Sequence, residues 1–293
     1  MSVPAGASAL VTGCSGGIGR AAAIALQDKG FRVYATARNV ASLADLASRG
    51  IDVLPLDVTD ESSMTAAVAG IESTGGRVAV LVNNAGYAIQ GPVEETPLEE
   101  VRRLFETNVF GLTRLTQLVL PAMRAAHQGR IINVGSMAGR ITFPGGAFYH
   151  GSKHALEAIT DAMRLELRPF GVHVSLIQPG PVRSAFATTA LDSLGSVAGP
   201  YGRFRADLAA TYAAAYAGST GVLDARQVAS VIAHAATVGR PRARYAVGFV
   251  ARALITLRRS MPDPVWDAFA RSQFPVPGSP DPASRIPDPG SRI

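Results

Sequence analysis

Cysteine is almost missing from this chain. Cys14 is the one example in 293 residues, which excludes an internal disulfide framework and any multi-cysteine zinc site. Lysine is scarce too: Lys29 and Lys153 stand against 26 arginines, so a retained lysine hints at a chemical use. There is no basic opening followed by an apolar stretch, and no apolar run long enough to span a bilayer. The expectation is a soluble, cytoplasmic protein. Charged residues are only 17%, whereas hydrophobic residues reach 47%, which is a folded composition and not a disordered one. A recognition helix dense in Lys and Arg is also lacking. The net charge of +6 lies wholly in residues 181–293, with 13 basic and 7 acidic groups, while residues 1–180 carry 15 of each. Nucleic acid is therefore not an expected partner.

What is present is a regular alternation. Apolar runs at Ala7–Val11, Arg32–Thr36, Asp52–Leu56, Val78–Val82, Arg130–Val134 and His173–Ile177 read as strands. Between them lie helical stretches such as Gly17–Lys29, with Ala22, Ala25 and Leu26 at helical spacing, and Asp60–Ile71. Thr96-Pro97-Leu98-Glu99 has the order of a capping box, with Thr96 as the N-cap and Pro97 at the first helical position. Strands apolar almost throughout, separated by helices, predict a parallel sheet covered on both faces: a single-domain, doubly wound, three-layer α/β/α protein of Rossmann-like type. That domain is expected over 1–250, with a substrate lid at about 185–220 that includes an Ala-rich helix at Ala206–Ala217. A further helix is expected at Asp224–Thr237 and a last strand near Arg244–Val247. Residues 251–274 read as a helical extension, and 275–293, with six prolines, as a disordered tail.

Thr12-Gly13-Cys14-Ser15-Gly16-Gly17-Ile18-Gly19 follows the first strand and opens the first helix. Glycines there allow a tight turn and let backbone N–H groups approach a pyrophosphate at the helix N-terminus. The spacing TGxxxGxG resembles the short-chain dehydrogenase/reductase family, and later segments match that family in order over roughly residues 5–250. Asp57-Val58 follows the third strand, Asn83-Asn84-Ala85-Gly86 ends the fourth, and Asn108 sits within TNVFG. Ser136 follows the fifth strand, Tyr149-His150-Gly151-Ser152-Lys153 is a YxxxK signature, and Pro179-Gly180-Pro181-Val182-Arg183-Ser184 is similar to a PGxVxT loop with Ser184 for Thr.

The resemblance implies a catalytic set of Asn108, Ser136, Tyr149 and Lys153. It also implies a dinucleotide held by Gly13, Ser15, Gly17, Ile18, Gly19, Asp57, Val58, Asn84, Ala85, Gly86, Tyr149, Lys153, Pro179, Gly180, Val182 and Ser184. Tyr149 and Lys153 are four apart and share a helix face. A nearby ammonium favours a phenolate, lowering a pKa that is otherwise near 10. In the family's pattern Ser136 holds the substrate oxygen, Lys153 also holds ribose hydroxyls, and Asn108 fixes a water. His150 faces elsewhere on an ideal helix and reads as a mere neighbour.

The second strand ends Ala35-Thr36-Ala37-Arg38-Asn39, without the carboxylate that binds a 2′-hydroxyl in NAD enzymes. Arg38 suits a 2′-phosphate, so NADP(H) is expected over NAD(H), with Ser15 or Arg20 as further contacts. VYATARN, NNAGYAIQGPVEE and FETNVFGLTRLTQLVLPAMR resemble the subgroup of 17β-hydroxysteroid and retinol dehydrogenases. Tyr87, Ile89, Phe143, Phe148, Phe186 and Leu191 are expected to line an apolar site. The function implied is carbonyl–alcohol interconversion on a small apolar substrate; the alternative is a dinucleotide-binding regulatory or scaffold protein without turnover. Homodimers or homotetramers are usual in the family. The basic amphipathic stretch 246–259 is expected to pack on its own domain, with peripheral membrane contact as the lesser reading. No metal is expected.

Overall fold

The computed structural model describes Pro4 and residues 6–74, 76–195, 199–217 and 221–274; the proline-rich segment 275–293 lies outside them. Seven parallel strands form one sheet: β1 (Ser8–Val11), β2 (Arg32–Ala37), β3 (Asp52–Pro55), β4 (Val78–Asn83), β5 (Gly129–Val134), β6 (Val172–Pro179) and β7 (Arg244–Val247). Their order is β3-β2-β1-β4-β5-β6-β7. The helices are α1 (Gly17–Gln27), α2 (Ala44–Ser48), α3 (Glu61–Ser73), α4 (Leu98–Phe105), α5 (Leu112–Ala125), α6 (Ala147–Leu167), α7 (Ala185–Asp192), α8 (Gly202–Ala217), α9 (Ala225–Thr237), α10 (Phe249–Ser260) and α11 (Asp263–Gln273).

Every residue of β1, β4 and β5 is buried, as expected of strands covered on both faces. On one side Ala22, Ala23 and Leu26 of α1 and Val228, Ile232 and Ala236 of α9 pack on Ala9, Val11, Val80 and Val82. On the other, Met64 and Val68 of α3, Leu115 and Val119 of α5 and Met163 of α6 pack on Leu10, Leu81 and Ile131. The chain turns back at β1, which pairs with β2 on one side and β4 on the other. That reversal opens a crevice at the carboxyl ends of β1 and β4, the place where doubly wound sheets bind ligands.

Three local expectations need correction. Thr96 does not cap α4: its hydroxyl donates to the Pro92 carbonyl (2.7 Å), and Pro97 occupies the N-cap position. The helix expected over 246–259 begins only at Phe249, because Ala246 and Val247 extend the sheet as part of β7. Its expected apolar face is divided. Leu254 packs toward Trp266 and Phe143, while Phe249 remains 78% exposed.

Candidate active site

Three turns at the sheet's carboxyl edge build the crevice. The glycine-rich turn leaves β1 and enters α1 at Gly17, whose φ of +53° is a backbone conformation side chains rarely adopt. A Cβ on Gly19 would lie 2.3 Å from the Gly13 carbonyl oxygen, so the turn closes this tightly only with glycine there. Helix α1 has neither a side-chain cap nor an acidic residue in its first turn. Its leading N–H groups therefore present positive charge to the crevice, a fit for phosphate. The Asn84 turn braces this one. Thr12 Oγ1 accepts from the Asn84 and Ala85 amides (2.9 and 3.0 Å), and Asn84 Nδ2 donates to the Thr12 and Gly13 carbonyls (2.8 and 3.2 Å).

The third turn follows β5. Ser136 Oγ accepts from the Ala138 amide (3.1 Å) and hydrogen-bonds Tyr149. On α6, Lys153 Nζ lies 5.9 Å from the Tyr149 ring centre and donates to the Val134 carbonyl (3.0 Å). Burial dominates both titrations. It pushes the Tyr149 phenol up, with the Ser136 hydrogen bond opposing, and brings Lys153 down to about 8. The lysine's expected depression of the phenol does not outweigh burial here.

A cavity of about 530 Å³ runs along these turns. Gly13, Ser15, Gly17, Ile18, Arg38, Asn84 and Gly86 line one end, Ser136, Tyr149 and Lys153 its middle, and Pro179, Gly180, Val182 and Ser184 one flank. A Cβ on Gly17 would meet that of Ser184 at 3.3 Å, so the loop after β6 reaches the glycine-rich turn. Gly19, Ala85, Asp57, Val58 and Asn108 do not line the cavity. Gly19 and Ala85 act through the turns just described. The Asp57 carboxylate accepts from the Thr59 amide and hydroxyl (2.9 and 2.8 Å), and buried Val58 lies against Gly111. Arg20 is also committed elsewhere, ion-paired with Asp45 and donating to the Ser42 carbonyl (2.5 Å). Arg38 is exposed beside Ser15 with no such tie.

Asn108 is completely buried in a π-helical turn, Glu106–Gly111, between α4 and α5. Its side chain accepts from the Tyr87 amide (3.1 Å) and donates to the Tyr87 carbonyl and Ser152 Oγ (2.9 and 3.1 Å). It thus fixes the loop after β4 against α6. Single π turns inside helices concentrate at functional sites.

Of the six expected apolar lining residues, Tyr87, Phe143, Phe186 and Leu191 reach the cavity; Ile89 and Phe148 do not. Gln90, beside the expected Ile89, and Tyr212 and Tyr216, within the expected lid, line it as well without having been singled out, whereas His150 and Phe274 were missed. His150 was discounted on ideal helix geometry, yet it lies in the first turn of α6, around which the cavity wraps. Tyr212 and Tyr216 are four apart on α8, a spacing that could have drawn notice within an alanine-rich helix. Phe274 lay beyond the expected domain. Among the described residues no cluster of His, Cys, Asp and Glu could hold a metal, and no helix is long and apolar enough to cross a membrane. Cys14, fully buried with its thiol pushed up to about 12, is a packing residue behind the turn.

A doubly wound sheet with a Ser–Tyr–Lys trio in its crevice defines a Rossmann-type protein with the site of an oxidoreductase. The chain belongs to the short-chain dehydrogenase family, whose profile matches residues 7–194. It is 34% identical over 263 residues to "Probable short-chain type dehydrogenase/reductase VdlC" of Helicobacter pylori, covering 90% of this chain and 96% of that one. The crystal structure of a short-chain dehydrogenase from Streptomyces avermitilis superposes with a TM-score of 0.76 at 33% identity, covering 92% of this chain and 99% of that one. A metagenomic short-chain oxidoreductase solved with NADP superposes with a TM-score of 0.65 at 29% identity, covering 83% and 97%.

Proposed function

We propose that the protein is an NADP(H)-preferring oxidoreductase that interconverts a carbonyl and an alcohol on a small apolar substrate. The observation that carries this reading is the meeting of Ser136, Tyr149 and Lys153 at the middle of one cavity, between a phosphate-suited helix end and a largely apolar chamber. The dinucleotide, when bound, supplies or accepts the hydride. The remaining work falls to side chains of this chain. Ser136 Oγ holds the substrate oxygen. Tyr149, whose raised pKa keeps its proton at neutral pH, gives that proton to the oxygen as negative charge develops. Lys153 holds positive charge beneath the ring and binds ribose hydroxyls. Asn108 positions both the Tyr87 loop and α6.

Arg38 supports the choice of NADP(H). It is the unpaired cation at the adenosine end of the cavity, and no carboxylate ends β2 to prefer a ribose hydroxyl. The apolar walls from Phe143, Phe186, Leu191 and Phe274 support a substrate of low polarity, steroid-, retinoid- or ketone-like in character. Exposed Phe110 and Leu165, on the helices flanking the site, support burial against a second copy in a homodimer or homotetramer.

The test is NADPH consumption across ketosteroids, retinal, aliphatic and aryl ketones and diketones, with Tyr149→Phe alongside. Turnover of one class that the variant loses is the expected result. Tight NADPH binding with no turnover of any class overturns the reading in favour of a dinucleotide-binding regulatory or scaffold protein.

A further inference from the structure

The chamber beyond Tyr149 is lined mostly by apolar surface, with Thr189, Thr211, Tyr212 and Tyr216 also on its wall, and it holds one unpartnered buried acceptor. Gln90 is 93% buried by its 7% exposure, lines the cavity, and its side-chain oxygen Oε1 has no hydrogen-bond partner. A buried carbonyl oxygen in apolar surroundings is costly unless something donates to it.

His150 faces the same spot. Its Nδ1 lies 2.7 Å from the Ile141 carbonyl, which can only accept, so Nδ1 carries the proton and Nε2 is left as an acceptor. Burial holds the ring neutral by bringing its pKa down to about 4, which preserves that acceptor at neutral pH. Nε2 and Gln90 Oε1 lie 2.6 and 3.3 Å from the point where a side chain on Gly146 would place its Cβ. The two acceptors therefore sit on the same side of the Gly146 backbone, both lining the cavity, and a side chain at 146 would displace them.

The position is held from three sides. The Gln90 backbone amide donates to Ser193 Oγ (2.8 Å), just past α7, and the Gly91 amide donates to the Gly145 carbonyl (2.7 Å). The Gln90 side chain donates through Nε2 to the Tyr212 hydroxyl on α8, Oε1 being the atom without a partner. The His150 ring stands edge-on to Phe143, at 6.3 Å, and edge-on to Tyr149, at 6.0 Å. The acceptor pair thus lies one ring beyond the Tyr149 phenol, on the Phe143 side of the chamber.

We infer that Gln90 and His150 form a polar anchor that selects substrates carrying an O–H or N–H donor remote from the reacting carbonyl. The inference rests on the carbonyl-reductase reading above and narrows its substrate class: an otherwise apolar ketone or aldehyde with a distal hydroxyl or amine. A site built around buried hydrogen-bonding groups discriminates against an analogue that leaves them unpaired far better than an apolar pocket discriminates by size.

The experiment compares matched ketones that differ only in the donor: estrone, its methyl ether and 3-deoxyestrone, and hydroxyphenyl butanone beside phenyl butanone. For each, kcat/KM with NADPH and the dissociation constant from the NADPH-loaded protein are measured in wild type, Gln90→Leu and Gln90→Met. The expected result is a preference of at least about tenfold for the hydroxylated member of a pair in wild type, carried mainly in KM, and collapsing toward unity in both variants. Equal turnover or equal binding of the matched members by wild type overturns the anchor, as does failure to bind any of them. A preference that persists in both variants overturns it too. A binding preference lost in the variants, with no turnover of any ketone, upholds the anchor and overturns the reductase reading instead. Thermal unfolding of Gln90→Met, which removes the unpaired oxygen and the hydrogen bond to Tyr212 at nearly constant volume, is expected as one cooperative transition within about 5 °C of the wild-type temperature. That readout separates a lost anchor from a damaged fold.

Discussion

The ring of Phe274 stacks on that of Phe143 with centroids 4.1 Å apart and planes 24° from parallel. Phe143 also stacks on Trp266 of α11 at 5.7 Å, and Trp266 is buried with Ile141. The last described residue of the chain is thus part of the cavity wall, and α11 backs that wall through Trp266. Trp266→Ala is expected to destabilise the protein by about 3–5 kcal/mol, the usual cost of deleting a large buried aromatic. Phe274→Ala leaves the core intact but opens the chamber, so KM for apolar ketones should rise while kcat changes little. Chemical denaturation and steady-state kinetics check the two statements, and an unchanged KM in Phe274→Ala would sink the second.

On the proposed reading Arg38, not Arg20, meets a 2′-phosphate, because Arg20 is already bound to Asp45 and Ser42. A charge-assisted hydrogen bond to phosphate is worth about 1.5–3 kcal/mol, or roughly ten- to a hundredfold in affinity. Arg38→Asp removes that contact and adds repulsion. The ratio of kcat/KM for NADPH over NADH is expected to fall by at least about tenfold, with NADH use retained. A ratio that stays at the wild-type value removes Arg38 from the assignment.

The strands could be read from the chain almost to the residue, because a run such as Val78–Val82, apolar at every position, has few places to go but the middle of a covered parallel sheet. The glycine-rich turn and the Tyr149–Lys153 spacing were equally plain, since both are local in sequence. Asp57 is less plain, because its carboxylate accepts from Thr59 two residues on and no spacing rule separates that local use from a ligand contact. His150 and Phe274 became visible only in three dimensions: the cavity bends around the start of α6, and the chain's far end returns to it. Thr96 kept the letters of a capping box while its hydroxyl turned back to Pro92.

Glu157 shows a second use of α6. It is buried, accepts from Gln178 Nε2 (2.5 Å), and pairs with both Arg140 and Arg244 at 2.9 Å. Arg244 belongs to β7 and also pairs with Asp161, so this carboxylate ties the sheet's edge strand to the helix that carries Tyr149 and Lys153. Glu157 is buried but its arginines are partly exposed, so water can take over their solvation when it is removed. Glu157→Ala is expected to cost about 1–3 kcal/mol, a drop that equilibrium urea unfolding would register. A loss below about 1 kcal/mol would mean that the network behaves as an exposed pair does.

Lys153 carries the clearest conflict between stability and chemistry. Burial lowers its pKa from 10.5 to about 8, so between those values the unfolded chain holds a proton that the folded protein has released. Stability from this group therefore rises as pH climbs from about 8 to 10.5, and the whole penalty is present below pH 8. A shift of that size corresponds to about 3 kcal/mol. Lys153→Met removes the penalty but leaves the Val134 carbonyl without its donor, at a cost of about 1 kcal/mol. The variant should be more stable than wild type at pH 7 by about 2 kcal/mol, with the advantage shrinking as pH approaches 10.5, and it should lose carbonyl reduction. Where Lys153 is present, reduction is expected to decline as pH rises through about 8 and the ammonium beneath the Tyr149 ring loses its charge. Denaturation curves of the two proteins across pH 7 to 10.5 test the first part. A variant less stable than wild type at pH 7 would show that the buried ammonium is compensated by its surroundings and imposes no strain on the fold.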